Sequence, residues 1–533
     1  MSGRIYQQFV QSSIGYFIIS AVSLLYLSWP PVHASFLSLF AFVPVLFMVD
    51  KLLAEKKSTF KITLNIYIIL ALWNITTTWW IYNATAAGAI FALLVNALLM
   101  LVPFIFFIIL YKKGNTILSY IAFVSFYLAF EYWHLNWDLS WPWLTLGNCF
   151  AKMPYLVQWY EYTGVLGGSL WILVSSVLIF HALKNYSKKT ISYAAAIIVL
   201  PCIVSFGLYY TYAFNGKLVK VVVVQPNIDP YTEKFAGSPN HISDEKQMER
   251  LVQLTKQGLR KETRPSVASA IVLWPETALP IYVDENIIQH QKLLLSLDSF
   301  ARKENIMLVT GIDSYKFYGE EKGSITAKLS EFDNTNYYDT YNAAIALNGT
   351  PAHHVYHKSK LVPGVESLPY PEIFGGLTSN LGGIVSTLGY DTCTTTYFNA
   401  DSVGVSPVIC YESIFGDYVR EFVLQGSDII GIITNDGWWG NTPGHIQHWH
   451  YARLRAVENR KPVARAANTG ISGFINARGD IMEETKYWTP DVRSALLPIN
   501  NTTTFYTRHG DYIGWMSCIV SLIVLAIGLM IKK

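Results

Sequence analysis

Long apolar segments dominate the two ends of the chain and are nearly absent from its middle. Seven of them precede residue 215, and an eighth closes the chain. A helix needs about 20 apolar residues to cross a bilayer, so each segment is long enough, or nearly so, to span a membrane. The segments cover roughly residues 12–29, 35–50, 62–82, 86–111, 116–134, 162–183, 191–213 and 511–531.

The middle of the chain has a different pattern, in which short β-branched runs alternate with amphipathic helical stretches. Helical spacing of apolar residues occurs from Met248 to Leu259 and from Ile287 to Phe300, and the polar stretch 318–340 predicts a long loop. Such alternation is typical of a layered α/β domain with its active site among the connections. Strands are predicted over residues 218–228, 270–274, 306–312, 341–347, 403–410 and 429–434.

These two patterns predict the domain organisation. Residues 1–214 form a membrane domain of seven transmembrane helices, and residues 215–509 form the α/β domain. Residues 510–533 supply an eighth transmembrane helix and the C-terminus.

The distribution of lysine and arginine predicts the orientation in the membrane. Basic residues occur in every second connection, whereas the connections 29–34 and 82–86 have none and the long one near 135–161 has only Lys152. By the positive-inside rule, both termini are cytoplasmic and residues 215–509 lie outside. The basic residues on the cytoplasmic side are Arg4, Lys51, Lys56, Lys57, Lys61, Lys112, Lys113, Lys184, Lys188, Lys189, Lys532 and Lys533.

Two features of the membrane region have alternative interpretations. The first apolar segment, followed by Val32-His33-Ala34, could be a cleaved signal peptide instead of an uncleaved span, with no change in orientation. The connection near 135–161 is rich in tryptophan and tyrosine. It could form an interfacial aromatic belt, a lipid-handling surface, or both.

Composition narrows the class of protein. Charged residues make up 14% of the chain, against about 25% in soluble domains, which places part of it in a bilayer. The net charge of +3 is too small to indicate a nucleic-acid partner. Five cysteines do not make a disulfide framework, although Cys393 and Cys410 could pair. His445 and His448 share a helical face without nearby ligand-like residues, so we expect no metal and no cofactor.

Three predicted strands of the α/β domain are followed by reactive side chains. Pro275 ends one strand and presents Glu276, Lys358 follows another, and Cys410 ends an apolar run. A cysteine nucleophile needs a base to remove its proton and a cation to stabilise the oxyanion. Glu, Lys and Cys supply these parts without histidine. Taken singly, they could equally be a turn residue, a surface charge and a core thiol.

These three stretches resemble the carbon–nitrogen hydrolase (nitrilase) superfamily with its Glu-Lys-Cys triad. The whole chain resembles the apolipoprotein N-acyltransferase family, in which a nitrilase-like domain lies between the seventh and eighth of eight spans. The matching motifs are WPETALP at 274–280, YHKSKLVPGVE at 356–366, VICYES at 408–413, SWPWLTLG at 140–147, TNDGWWG at 434–440, the helix 445–459 and ANTG at 467–470.

The resemblance implies an eight-span α-helical membrane domain joined to an αββα sandwich, with specific roles for its residues. Cys410 would be the nucleophile, Glu276 the general base and Lys358 the oxyanion stabiliser, in preference to Lys360. The residues that would support the triad and shape the substrate pocket are Glu366, Tyr411, Glu412, Trp438 and Trp439.

The resemblance also implies the reaction. An acyl chain would pass from a phospholipid, expected to be phosphatidylethanolamine, through a Cys410 thioester to the N-terminal amine of a diacylglyceryl-cysteine lipoprotein at the bacterial inner membrane. Two alternatives stay open. A membrane-tethered nitrilase or amidase would use the same triad on a soluble substrate with water, and a transport or receptor protein would need no intact triad.

Overall fold

The computed structural model describes residues 12–261, 268–331, 333–349, 354–368, 370 and 387–531. Arg4, Lys532 and Lys533, which enter the predicted charge distribution, lie outside the described residues. The chain divides into two compact units. One comprises Met1–Tyr212 with His509–Lys533, and the other comprises Ala213–Arg508.

The first unit is helical. Its α-helices are Ile14–Ser28, Val43–Ala54, Thr59–Thr78, Ala86–Lys112, Thr116–His134, Tyr160–Asn185, Lys188–Thr211 and Tyr512–Met530. Short 3₁₀ segments lie at Ser35–Phe40, Trp79–Asn83, Pro142–Leu144, Leu146–Lys152 and Pro154–Leu156.

Seven helical segments among the described residues are long and apolar enough to cross a membrane. The helix Ile14–Ser28 is also apolar but has only 15 residues, which is about 22 Å of helix against about 30 Å of hydrocarbon. The expected total of eight spans therefore stays a prediction. The seven segments are Ser35–Ala54, Thr59–Asn83, Gly88–Lys112, Thr116–His134, Tyr160–Asn185, Lys188–Thr211 and Tyr512–Met530.

Several rings of the aromatic connection near 135–161 pack inside the first unit. Trp143 and Tyr160 are buried, and Trp141 stacks on Trp143 with ring centroids 5.4 Å apart. The Tyr160 hydroxyl donates to the Gly147 carbonyl at 2.9 Å. Trp143 and Tyr160 therefore build the interior of the helical unit, and the aromatic belt and the lipid-handling surface stay predictions for the connection.

The second unit contains two mixed β-sheets. The first sheet has the order Asp491–Ile499, Lys217–Gln225, Ala270–Leu273, Ile306–Gly319, Tyr337–Leu347, Lys328–Leu329, with Tyr282–Asp284 and Val355–His357 paired to the fourth and fifth strands. The second has the order Ile481–Glu484, Gly473–Ile475, Val463–Ala467, Ile429–Thr434, Gly404–Ile409, Tyr397–Phe398.

The two sheets face each other, and helices cover their outer faces. At the interface, a Cβ on Gly431 would lie 3.5 Å from Leu273 Cδ1 of the opposite sheet. The resulting α/β sandwich confirms the predicted fold class of this unit. The helices Asp244–Arg260 and Lys292–Glu304 pack on the first sheet, and Gly416–Leu424 and Pro443–Asn459 pack on the second.

The predicted strands are found within a few residues of their expected ends, but the predicted loop over 318–340 is wrong in part. The strands Ile306–Gly319 and Tyr337–Leu347 extend into it as a long antiparallel ladder. Phe317 and Tyr338, with ring centroids 5.8 Å apart, join these strands across the ladder. Such cross-strand aromatic pairs stabilise a hairpin whose other residues are polar. Because the hairpin is polar, the pattern of hydrophobic residues does not predict these strands.

Candidate active site

The central strands of each sheet run parallel, so their carboxyl ends meet at one edge. Ala270–Leu273 is parallel to both of its main neighbours in the first sheet, as is Ile429–Thr434 in the second. Glu276 follows the first of these strands, and Asn435 follows the second. Cys410 follows the strand Gly404–Ile409. Residues at the carboxyl ends of neighbouring parallel strands converge, which is where α/β domains build their sites.

Glu276 is buried and held by three hydrogen bonds. Its Oε1 accepts from Asn342 Nδ2 at 2.7 Å and from Lys358 Nζ at 3.2 Å. Its Oε2 accepts from the Asn435 backbone N–H at 2.9 Å. The carboxylate is therefore fixed by residues from both sheets, and its orientation does not depend on solvent.

Lys358 connects Glu276 to Glu366. Its ammonium donates to Glu366 Oε1 at 2.7 Å, and its backbone N–H donates to the Asn342 carbonyl at 2.9 Å. Burial would lower the pKa of Lys358, but the charges of Glu366 and Glu276 raise it well above its ordinary value. Lys358 is consequently charged at any physiological pH. We refer to Glu276, Lys358 and Glu366 as the front cluster.

Cys410 lies at the sharp turn between a strand and a 3₁₀ helix. Its φ is 50°, in the left-handed region that non-glycine residues rarely adopt. Burial and the charge of Glu276 raise the pKa of the thiol above its ordinary value, although Lys358 opposes this shift. The resting side chain is thus a neutral thiol, and a base has to remove its proton before it can act as a nucleophile.

Glu412 stabilises the turn that carries Cys410 by hydrogen bonds. Its Oε2 accepts from the Ile409 N–H at 2.8 Å, and its Oε1 accepts from the Tyr356 hydroxyl at 2.7 Å and the Ser359 N–H at 2.6 Å. Burial raises the pKa of Glu412 to about 7 despite these hydrogen bonds. Because its partners flank both Cys410 and Lys358 in sequence, Glu412 ties the two segments together.

The neighbouring aromatic residues differ in exposure. The Tyr411 ring is buried and packs edge-on against Phe415 with centroids 5.2 Å apart. Trp438 is exposed and contacts the Tyr231 ring at 5.1 Å. Trp439 is half-buried, with its ring 5.5 Å from that of His448. Of the three, only the Trp438 ring presents a large apolar surface to the outside of this unit.

A second ionic cluster, which the sequence did not reveal, lies against Cys410. Arg465 Nη2 donates to Asp436 Oδ2 at 2.7 Å, and His448 Nδ1 lies 3.0 Å from Asp436 Oδ1. His448 Nε2 lies 3.2 Å from the Cys410 carbonyl oxygen and 2.9 Å from the Ser413 hydroxyl. We refer to Asp436, His448 and Arg465 as the rear cluster.

The rear cluster is fully enclosed by the protein. All three side chains are completely buried. Burial would raise the pKa of Asp436, but Arg465 and His448 hold it well below its usual range. The ionic network therefore fixes the backbone at the strained Cys410 without exposing a charge. Asp436 and His448 fall in stretches that the motif comparison identified, yet nothing in their spacing indicated this contact.

Two further placements differ from what sequence alone could specify. Asn342 bridges Glu276 and Glu366, since Nδ2 also lies 3.1 Å from Glu366 Oε1, and no motif marked it. Lys360 points to Phe415 and Tyr418, with Nζ 5.4 and 5.7 Å from their ring centroids. Lys358, and not Lys360, lies with the carboxylates.

Neither a metal site nor a disulfide forms among the described residues. No group of three or more His, Cys, Asp or Glu side chains there could hold a metal ion. The His445 ring stacks on Tyr487 with centroids 4.0 Å apart. Cys393 is exposed and Cys410 buried, and both are free thiols.

Comparison with known proteins covers almost the entire chain. Residues 220–506 match the carbon–nitrogen hydrolase family, and residues 21–178 match the apolipoprotein N-acyltransferase N-terminal domain. Among solved structures, Nit3 of Saccharomyces cerevisiae, a member of branch 10 of the nitrilase superfamily, aligns with a TM-score of 0.38 and 17% identity, covering 54% of this chain and 92% of that one.

Two relatives match over nearly their full length. The apolipoprotein N-acyltransferase of Chlorobaculum tepidum is 31% identical over 504 residues, which is 91% of this chain and 90% of the relative. That of Geobacter metallireducens is 25% identical over 522 residues, which is 96% and 94% of the two chains. With both domains matched in one chain, this membrane-bound protein belongs to the apolipoprotein N-acyltransferase family.

Proposed function

We propose that this protein transfers an acyl chain from a phospholipid to the N-terminal α-amine of diacylglyceryl-cysteine in lipoproteins, the last step of lipoprotein maturation. The observation that carries the proposal is the front cluster next to Cys410. A neutral buried thiol, a carboxylate and a charged ammonium are the three parts that acyl transfer through a thioester requires. The relatives' names supply the acceptor.

In the first half-reaction, Glu276 removes the proton of the Cys410 thiol while sulfur attacks the ester carbonyl of the phospholipid. The Lys358 ammonium has three N–H bonds, and two of them donate to Glu276 and Glu366. The third N–H bond donates to the oxyanion. The C–O bond breaks, and the leaving lysophospholipid oxygen takes the proton from Glu276. The product is an acyl-Cys410 thioester.

In the second half-reaction, the lipoprotein amine attacks the thioester. Glu276 accepts a proton from the amine, the C–S bond breaks, and the proton returns to the Cys410 sulfur. An amide and the original thiol result. Glu366 keeps Lys358 in position, and Glu412 holds the segments of Cys410 and Lys358. Trp438 and Trp439 supply apolar surface for the acyl chains, and the buried Tyr411 shapes the pocket.

The acceptor distinguishes a transferase from a hydrolase, and a single-turnover experiment separates them. Enzyme given phosphatidylethanolamine alone should accumulate acyl-Cys410, detected by mass spectrometry, and release about one lysophospholipid per site before stopping. A peptide with N-terminal diacylglyceryl-cysteine should then discharge the thioester to an amide. Continuous release of free fatty acid without an amine would identify the enzyme as a hydrolase.

Substitutions test the roles of the proposed catalytic residues. Cys410→Ser should insert and fold yet lose acyl transfer, because a serine hydroxyl needs far stronger activation than a thiol. Glu276→Gln should fail to load acyl, because the thiol loses its base. Cys393→Ser, which changes an exposed free thiol, is the matched control and should be active. Full activity of Cys410→Ser would refute the assignment.

We further propose that the enzyme works at the outer face of the bacterial inner membrane. Residues 1–214 would form the membrane domain, 215–509 the periplasmic catalytic domain, and 510–533 the eighth span and a cytoplasmic C-terminus. The alternation of lysine-rich and lysine-free connections supports this topology. Reporters fused after Tyr82 or near Gly216 should lie outside, and those after Lys57 or Lys188 inside. A cytoplasmic signal at Gly216 would contradict it.

A further inference from the structure

A second buried lysine lies beside the residue that follows the proposed base. Lys234, which is only 8% exposed, donates from Nζ to both the carbonyl oxygen and the hydroxyl of Thr277, at 2.7 and 2.6 Å. The Asp313 carboxylate is 3.8 Å from the same ammonium. No step of the acyl transfer described above uses Lys234, so its burial calls for another explanation.

Thr277 adopts a conformation that its side chain disfavours. Its φ is 45°, in the left-handed region where a β-branched residue is a rare outlier. This residue comes directly after Glu276, so its backbone angles belong to the tight turn that carries the Glu276 carboxylate. An outlier of this kind persists only where the surroundings hold it, and such outliers concentrate at active sites.

Gly311 holds the same turn from the neighbouring strand. Its N–H donates to the Pro275 carbonyl at 3.1 Å, and its carbonyl accepts from the Ala278 N–H at 2.9 Å. A Cβ at Gly311 would lie 2.6 Å from the Glu276 Cα, so the close approach requires glycine. These contacts fix the two ends of the turn, and the Lys234 ammonium binds the carbonyl between them.

Lys234 is itself held in place by its own backbone. Its N–H donates to the Asp229 carbonyl at 3.1 Å, and its carbonyl accepts from Gln247 Nε2 at 2.9 Å. Gln247 is buried in the helix Asp244–Arg260. The ammonium therefore belongs to a fixed framework and is not a mobile surface charge.

We propose that Lys234 is a positioning residue that holds Thr277 in the left-handed conformation and thereby keeps the Glu276 carboxylate within reach of Cys410. The inference rests on the proposed role of Glu276 as general base. Lys234 acts through Thr277 and takes no part in bond making. A displacement of about 1 Å at a catalytic group can cost on the order of 100-fold in rate, so losing this contact should be visible in the first half-reaction.

The primary experiment measures acyl loading of Cys410 by the full-length Lys234→Met variant with phosphatidylethanolamine alone. We expect the loading rate at saturating lipid to fall about 10- to 100-fold, with the half-saturating lipid concentration unchanged, because Lys234 orients the base and does not bind lipid. Alkylation of Cys410 by iodoacetamide, which needs no lipid, should slow in parallel.

Lys461→Met is the matched control. Lys461 is also buried, donates to a backbone carbonyl, that of Asn500, and has a carboxylate, Asp428, at 3.9 Å. It precedes the strand Val463–Ala467, at the end of the sheet opposite to the Cys410 edge. Lys461→Met should load acyl within about twofold of the wild type. Equal rates in the two lysine variants would overturn the inference.

A second substitution tests the mechanism. Glycine adopts positive φ without steric cost, so Thr277→Gly removes the steric preference for negative φ that the Lys234 hydrogen bonds have to overcome. The loss on Lys234→Met should therefore shrink at least fivefold in the Thr277→Gly background. An undiminished loss would contradict the inference, because Lys234 would then act by a route other than the conformation of Thr277. Lys234→Gln repeats both measurements if Lys234→Met does not accumulate.

Glu276→Gln separates this inference from the proposed function. If Glu276→Gln loads acyl normally, the assignment of the base fails, and the role of Lys234 fails with it. If Glu276→Gln is inactive while Lys234→Met matches Lys461→Met, the base assignment stands and only the positioning role is wrong.

Discussion

Two ionic clusters meet at Cys410, and they differ in how completely their charges are enclosed. The front cluster places one ammonium between two carboxylates, and Glu366 retains 15% side-chain exposure. The rear cluster pairs one guanidinium with one carboxylate and an imidazole, all at 0% exposure. The front cluster thus has a surplus carboxylate and partial access to solvent, whereas the rear cluster has neither.

This difference distinguishes the front cluster, which we propose takes part in catalysis, from the rear cluster, which supports the backbone at Cys410. A cluster that serves a reacting substrate needs an opening, and the front cluster has one at the partly exposed Glu366. A cluster that only holds a strained nucleophile can be closed to solvent, provided that its buried charges are paired. The rear cluster contacts the Cys410 carbonyl, which is a contact to the backbone that carries the nucleophile.

The largest effect is expected from breaking the rear cluster. Asp436→Ala leaves the Arg465 guanidinium buried without its carboxylate, which should lower the free energy of unfolding by about 3–5 kcal/mol. Denaturant titration of the full-length protein in detergent measures the change.

Asp491→Ala is the control for this substitution. The Asp491–Arg493 pair has the same 2.7 Å separation as the Asp436–Arg465 pair, but both of its side chains are partly exposed. Exposed pairs of this kind contribute about 0–1 kcal/mol. Equal destabilisation by the two substitutions would show that the rear cluster is not the buried scaffold inferred here.

Breaking the front cluster should reduce activity more than stability. Lys358→Met removes the donor to the oxyanion, and acyl loading of Cys410 should fall about 10²–10³-fold. The two carboxylates keep their hydrogen bonds from Asn342, so the unfolding free energy should change less than in Asp436→Ala. Lys360→Met, which alters a lysine lying over aromatic rings two residues away, should load within about threefold of the wild type.

A smaller, pH-dependent effect on stability is expected from His357, the residue directly before Lys358. His357 Nδ1 and Nε2 each lie 2.8 Å from a carboxylate, Asp391 and Glu285 respectively. Burial would lower the pKa of His357, but Asp391 and Glu285 raise it from 6.5 to about 9. The stabilisation is fully present below the unfolded pKa of 6.5 and is lost as pH rises through about 9.

The His357→Gln variant should lack this pH dependence. Between pH 6 and pH 10, the wild type should lose on the order of 3 kcal/mol of unfolding free energy that the variant does not lose. Its acyl loading at pH 7 should be near that of the wild type, since His357 contacts neither Glu276 nor Cys410 among the described residues. If the unfolding free energies of the two proteins change in parallel with pH, the His357 imidazolium contributes nothing to stability.

The sequence alone determined the parts of the molecule that depend on local patterns. Apolar runs of helical length predicted the membrane segments, and β-branched runs predicted the strands, because both patterns repeat within a few residues. The residues Glu276, Lys358 and Cys410 were identifiable because each follows a strand that ends in a recognisable motif. Glu276 and Cys410 follow parallel strands of two different sheets and Lys358 follows a strand with an antiparallel partner, so the meeting of these three residues depends on the tertiary structure.

Only the tertiary structure decided which polar side chains meet. Asn342, Asp436, Arg465 and Lys234 act through contacts with residues 29 to 66 positions away in the chain, and no short-range pattern encodes such pairs. The positive φ angles of Cys410 and Thr277 are equally invisible in the sequence, because neither residue type favours that conformation. They exist because buried hydrogen bonds from segments distant in the sequence compensate their local cost, and those bonds form only when these segments come together in the folded domain.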